Sequence, residues 1–259
     1  MTKEVLRMRV FAGPNGSGKS TIINSVRSHK VNGIPVDFGI YVNADLIARD
    51  LQKGNISFKK YKIVISQDEF VAISLDSGLI GEKFSEEQFI SSFRITRNII
   101  YLTKPAADEY IAQIMAHVLR KKLLQEKKKF SFETVFSHES KVDIMKEAVE
   151  AGYKVYLYFV STKSPEINKY RIKVRVEQGG HPVPEDKIVN RYYRSMDLLH
   201  EASQYSYQAF YFDNSENGVG KQSMFAHFKL DKDRHKKWDK IDQGIVPDWF
   251  FKYYSSKNI

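Results

Sequence analysis

The stretch Gly13-Pro14-Asn15-Gly16-Ser17-Gly18-Lys19-Ser20-Thr21 constrains this chain more than any other. It satisfies the pattern G-x-x-x-x-G-K-S/T. The apolar residues before it (Met8, Val10, Phe11, Ala12) and Thr21-Ile22-Ile23 after it predict a strand, a loop and a helix from about Lys19. Gly13, Gly16 and Gly18 permit backbone geometry that a Cβ would forbid, so successive N–H groups can face one concavity and hold phosphate oxygens. The positive end of the following helix adds to that field. Lys19 would reach the β and γ phosphates, and the Ser20 hydroxyl would ligate Mg²⁺. The competing reading is a glycine-rich turn with a chance lysine. The full motif in a strand and helix context favours a nucleoside triphosphate site.

Composition sets outer limits. A chain of 259 residues with 42% apolar side chains can build a core as one elaborated α/β domain or two small ones. Forty-one basic against 31 acidic residues leave 41 − 31 = +10, which suits phosphorylated ligands or nucleic acid. Much of that charge is diffuse, as in Lys127-Lys128-Lys129 and Lys236-Lys237, and runs of this kind are usually solvated helix ends. No RNA-binding signature accompanies it. The absence of cysteine excludes disulfides, thiolate catalysis and cysteine-rich zinc sites. The N-terminus enters the first strand without an apolar signal segment, and no apolar run is long enough for a bilayer, so a soluble cytoplasmic protein is expected.

Along the chain, residues 38–42 read as a second strand ending in Asn43-Ala44-Asp45. In an open parallel sheet, ligands bind beyond the carboxyl ends of the strands, where a carboxylate such as Asp45 can take a proton from an attacking hydroxyl. The alternative for Asp45 is an N-cap on the helix that follows. Residues 52–104 are less legible. Ser85-Glu86-Glu87-Gln88 is a capping box predicting a helix over about 85–102, and the segment reads as a helical insertion. Pro105 opens a long helix with Ile111, Ile114, Val118 and Leu119 inward. Phe130-Ser131-Phe132 is a third strand, closed by Glu133-Thr134; Glu133 faces either the same cleft or solvent.

A helix over 140–150, capped by Ser140, and a strand over 154–160 complete a strand–helix alternation that implies a parallel sheet with right-handed crossovers. Ser164-Pro165 opens a helix carrying Arg171 and Arg175 on one face. Gln178-Gly179-Gly180-His181-Pro182-Val183-Pro184 breaks it, and a second helix follows, with Ile188, Tyr192, Met196 and Leu199 inward and Lys187, Arg191 and Arg194 on another face. The pair reads either as a flap whose arginines close over phosphates or as two surface helices. Residues 208–212 form a fifth strand ending in Asp213-Asn214-Ser215, with a turn at Glu216-Asn217-Gly218. In the basic tail, Trp238, Trp249, Phe250 and Phe251 are expected to attach it to the body.

Taken in order, the loop motif, Asn43-Ala44-Asp45, Phe132-Glu133-Thr134, Arg175-Val176, Gly179-Gly180-His181-x-Val183-Pro184-Glu185, Arg191-Tyr192-x-Arg194-Ser195 and Asp213-Asn214-Ser215 resemble the zeta toxin family, in the branch often labelled predicted ABC-type ATPases. The resemblance spans residues 8 to about 215 apart from 52–104. It implies a single P-loop kinase domain over 1–259, with a mostly parallel sheet flanked by helices, an arginine-bearing helical flap, the helical insertion and a C-terminal extension at about 219–259. The activity implied is ATP- and Mg²⁺-dependent phosphorylation of a sugar hydroxyl of UDP-N-acetylglucosamine, with an antitoxin as possible partner. By the same resemblance Asp45 is the base, Asn43, Glu133 and Thr134 contact substrate, Lys19 and Ser20 serve phosphate and metal, and Arg171, Arg175, His181, Arg191 and Arg194 form the flap, Arg175 and Arg191 being the catalytic candidates. Two other classes stay open: a partner-coupled ATPase and a nucleotide or nucleic-acid kinase.

Overall fold

The apolar run ahead of the glycine loop becomes strand β1 (Arg7–Ala12), buried from Met8 onward, and helix α1 (Lys19–Ser28) starts at the motif lysine. The connection after it is a hairpin, β2 (Lys30–Val31) and β3 (Ile34–Pro35), around Asn32 and Gly33 at φ 51° and 79°. Positive φ at both central residues is what a tight two-residue hairpin requires. The computed structural model describes residues 5–216, 223–239 and 246–258. It divides the chain into two compact units, Met1–Phe38 with Ser131–Ile259, and Gly39–Phe130.

The second unit holds β4 (Ile40–Val42), α2 (Ala44–Gln52), β5 (Asn55–Ser57), α3 (Gln67–Leu75), α4 (Glu86–Ile90), β6 (Phe93–Thr96), β7 (Ile99–Leu102) and α5 (Asp108–Gln125). The strand expected over 38–42 is confined to β4. Residues 52–104 are not helical throughout, because β5, β7 and β6 form an antiparallel sheet in that order. The capping box at Ser85 and Gln88 is present, yet its helix stops at Ile90 and does not run to 102. The β-branched residues Ile95, Thr96, Ile99 and Ile100 favour strands, and Arg97 and Asn98, at φ 50° and 62°, fold them back as a hairpin. The Asn98 side chain fixes the preceding loop: Oδ1 accepts from Ile65 N at 3.0 Å and Nδ2 donates to Ile63 O at 2.8 Å. Phe58, Phe70, Phe89 and Phe93 form the core of this unit with the buried stripe of α5, Ile111, Ile114, Val118 and Leu119.

The first unit resumes with β8 (Phe130–Thr134), α6 (Ser140–Glu150), β9 (Lys154–Ser161), α7 (Pro165–Glu177), α8 (Glu185–Asp197), α9 (Leu199–Gln204), β10 (Gln208–Asp213), β11 (Ser223–Leu230), β12 (Lys236–Trp238) and α10 (Asp248–Tyr253). Its strands lie side by side as β12-β11-β10-β9-β1-β8. β9 runs parallel to both β1 and β10, while β11 and β12 add antiparallel. This is the α/β architecture that the alternation of strands and helices implied. Ser140 does not cap α6; its hydroxyl meets His138 Nδ1 at 3.0 Å instead. Ser164 likewise makes no capping bond to α7, where Pro165 supplies the preset first turn.

The tail is more than an attachment, since it supplies β11 and β12. Trp249 and Phe250 are buried, but Phe251, one helical step on, is 57% exposed. Tyr211 on β10 is surrounded by Phe225, Phe228, Trp238, Phe250 and Tyr254 at centroid distances of 4.8 to 6.5 Å. Its hydroxyl donates to Ser203 Oγ at 2.8 Å, and burial holds its pKa well above the ordinary value. On the opposite face of the sheet a row of stacked rings crosses the strands. Phe38, Phe11, Tyr158, Phe210 and His227 follow one another at 5.4, 4.7, 4.7 and 4.5 Å. The expected turn at Glu216-Asn217-Gly218 lies, beyond Glu216, outside the described residues.

Two substitutions probe the two cores. Phe250→Ala should cost about 3–5 kcal/mol in urea denaturation, because a fully packed ring is removed. Asn98→Gly should cost about 1–3 kcal/mol for two lost hydrogen bonds, and Asn98→Ala about 1 kcal/mol more, because alanine resists the left-handed conformation.

Candidate functional site

The site is built where β1 ends. Gly13, at φ 141°, lies so close to the Val160 carbonyl of β9 that an added Cβ would sit 2.0 Å from its oxygen. Gly16, at φ 76°, packs on α7, and its Cβ would come within 2.8 Å of Asn168 O. Only glycine is tolerated at either position. Gly18 is the N-cap of α1 in the left-handed conformation, and no side chain caps that helix. Thr21 N turns back to Gly18 O at 3.1 Å, and the loop lies against the positive end of the helix dipole, where an anion is favoured.

Lys19 is 7% exposed, and its Nζ donates to Gly13 O at 2.9 Å and Pro14 O at 3.0 Å, so the ammonium is held against the loop. Ser20 and Thr21 are exposed on the first turn of α1. Ser17 Oγ and Asn15 Oδ1 are buried with no hydrogen-bond partner among the described residues. Backbone donors, a held ammonium, orphaned buried oxygens and an accessible hydroxyl at a helix N-terminus form a donor set that fits the phosphates and Mg²⁺ of a nucleoside triphosphate.

A loop that turns its N–H groups inward must turn carbonyls outward, and two asparagines receive them. Asn168 Nδ2 donates to Asn15 O at 2.6 Å, and Asn214 Nδ2 donates to Ser17 O at 2.8 Å. Asn168 is also within 2.5 Å of Thr162 Oγ1, while Tyr192 donates its hydroxyl to Thr162 O at 2.6 Å. Burial raises the Tyr192 pKa, which keeps that donor protonated. Neither Asn168 nor Thr162 was singled out from the sequence. The signal was there for Asn168, a polar residue four positions before Ile172 on the buried stripe of α7.

The arginines divide. Arg171 is half-buried and donates to Asn214 O at 2.7 Å and Glu216 O at 2.9 Å, which ties α7 to the segment after β10. Burial lowers its pKa, and the Asp213 charge works against that lowering. Arg175, one turn on, is exposed and donates to the His181 carbonyl at 2.8 Å, while the Gly180 Cα packs on its side chain. Arg191 is half-buried on α8; Arg194 and His181 are exposed. The loop between α7 and α8 is spanned by Lys169 and Glu185, 3.6 Å apart.

At the end of β8, Glu133 and Thr134 are half-buried, and Thr134 Oγ1 accepts from Phe136 N at 3.1 Å. In the second unit Asn43, not Asp45, is the N-cap of α2: its Oδ1 accepts from Leu46 N at 3.0 Å. The capping alternative for Asp45 is thereby removed, and its carboxylate is exposed in the first turn of that helix. A cavity of about 710 Å³ lies elsewhere in the first unit, at the amino ends of β9 and β10, lined by Lys154, Tyr207, Lys229 and Arg234. It contains no residue of the glycine loop. The triad Asp231, Asp233 and His235 lies on an exposed turn and is likewise separate from the loop. Among the described residues no helix is long and apolar enough to cross a membrane.

Residues 96–219, just under half of the chain, match the family model described as zeta toxin. The matched stretch includes Glu133-Thr134, α7, α8 and Asp213-Asn214-Ser215; the glycine loop and Asp45 lie upstream of it. An uncharacterized protein of Haemophilus influenzae is 41% identical over 63 residues, a match spanning 24% of this chain and 45% of that protein. Among solved structures, the AvrRxo1-ORF1:AvrRxo1-ORF2 complex with sulphate ions is similar at a TM-score of 0.52 and 13% identity, over 87% of this chain and 59% of that one. A structure from the PezAT chromosomal toxin-antitoxin system of Streptococcus pneumoniae aligns at a TM-score of 0.48 and 13% identity, over 98% of this chain and 80% of that one. The match over residues 96–219 identifies that stretch as similar to the zeta toxin family.

Proposed function

We propose that the protein transfers the γ-phosphate of ATP to a hydroxyl of a small acceptor, with a UDP-sugar such as UDP-N-acetylglucosamine as the leading candidate. The observation that carries this reading is the glycine loop, with Lys19 held against it and an uncapped helix N-terminus behind it. The similarity of residues 96–219 to the zeta toxin family supports phosphotransfer as its use. Lys19 and the loop amides hold the β and γ phosphates, and Ser20 would hold Mg²⁺, which would supply positive charge against the phosphates. In this reading Asp45 accepts the proton of the attacking hydroxyl, and its release from capping duty by Asn43 supports that role. Asn43, Glu133 and Thr134 orient the acceptor. Arg175 and Arg191 neutralise charge as the phosphoryl group moves, with Arg171, His181 and Arg194 completing the flap. An antitoxin that blocks the site belongs to the same reading.

An assay for ATP consumption with Mg²⁺ and a panel of UDP-sugars, with mass spectrometry of the products, tests the proposal. A phosphorylated UDP-N-acetylglucosamine is expected from the wild type. ATP turnover without a sugar product would favour a partner-coupled ATPase, and phosphorylation of an oligonucleotide with steep salt dependence would favour a nucleic-acid kinase.

Two variants assign roles. Lys19→Ala should lose both transfer and ATP binding. Asp45→Asn should lower kcat by about 10²-fold or more and leave the Kd for ATP within about twofold, measured by calorimetry; full turnover in Asp45→Asn would remove Asp45 as the base.

A further inference from the structure

The tail residue Trp249 reaches the segment that braces the glycine loop. Its indole Nε1 donates to Asp213 Oδ1 at 2.8 Å. That same oxygen accepts from Ser215 Oγ at 2.7 Å, and Oδ2 accepts from Ser215 N at 3.2 Å. Ser215 Oγ in turn accepts from Lys163 N at 2.8 Å, at the end of β9. Between the two, Asn214 donates its backbone N–H to Ser161 O at 2.8 Å and its side-chain amide to Ser17 O of the loop at 2.8 Å. Arg171 closes the arrangement from α7 through Asn214 O. Trp249, Asn214 and Ser17 are 4%, 6% and 0% exposed, and the bond from Asn214 to Ser17 is made away from water.

We infer that Trp249 is a positioning residue for the nucleotide loop: its indole N–H fixes the Asp213 carboxylate, and through Asn214 it sets the carbonyl side of Gly13–Thr21. The C-terminal segment is then part of the nucleotide site, although it contributes no atom to the loop itself. Three observations carry this. The contact is a hydrogen bond from a neutral donor to an ionisable acceptor, which is stronger than an ordinary one. The Trp249 ring cannot drift, since Phe159, Phe225 and Phe250 pack around it at 6.1, 5.4 and 5.9 Å. The path to Ser17 is short: a part-buried bond from Trp249 to Asp213, the peptide link to Asn214, and a buried bond from Asn214 to Ser17. The inference rests on reading Gly13–Thr21 as a nucleotide loop.

The test uses the full chain, with ATP as the probe. Trp249→Phe keeps the aromatic packing and removes only the N–H. It should weaken ATP binding by about fivefold or more in calorimetry, through coupling between the two places. Phe228→Leu, in the same aromatic core without a bond to Asp213, should lower the melting temperature and leave ATP affinity within about twofold. The chain has two tryptophans, so Trp238→Phe leaves Trp249 as the sole indole, and its emission should change on ATP addition with the calorimetric Kd. Wild type that binds ATP, with Trp249→Phe binding equally well or with Trp249 emission silent, would overturn the positioning role alone. Wild type that fails to bind ATP would overturn the nucleotide reading and this inference with it.

Discussion

The parallel pairing of β1 with β9 puts the backbone of Gly13 against the Val160 carbonyl, and everything at the site follows from that approach. A loop leaving β1 at that point has no room for a side chain on its inner wall. It must therefore turn through left-handed conformations, and its amides converge as a geometric consequence. The next turn rests on α7 at Gly16 with similar closeness, so strand and helix together mould the loop from outside.

The moulding has a cost on the other side, where carbonyls point away from the concavity into a buried region and need donors. Asn168 and Asn214 supply them, one from α7 and one from the segment after β10. Arg171 joins the two suppliers, and Thr162 and Tyr192 hold Asn168 in turn. The chemistry of the site thus depends on groups that would never touch a ligand. Helix α7 carries part of the structural brace in Arg171 and Asn168 and a more exposed cation in Arg175, which explains why two arginines on one helical face have different partners.

The sequence made the loop legible because its glycines, lysine and serine have a fixed spacing with a strand before and a helix after. The alternation of apolar runs with amphipathic helices likewise made the α/β class legible. Residues 52–104 were less so, since Ser85 and Gln88 announce a helix start, but nothing in a capping box says how soon the helix stops. The turn pair Arg97-Asn98 lacks the glycine that usually marks such a hairpin, and Asn98 substitutes by tolerating positive φ. The strands β11 and β12 were hidden by lysines and histidines on an outer edge. The braces were missed because Asn168 and Asn214 act on backbone atoms, and no residue pattern records which carbonyl an amide will meet.

The row of rings from Phe38 to His227 gives the sheet a gauge. Phe11 faces Tyr158, Tyr158 faces Phe210 and Phe210 faces His227 directly across neighbouring strands, at spacings close to the separation of the strands themselves. A single residue inserted into β9 would send the rings beyond it to the opposite face. It would also carry Val160 away from Gly13. The stack and the loop read the same register, so changes in chain length are confined to the connections, and the two ends of the sheet are free to vary only where neither depends on the count.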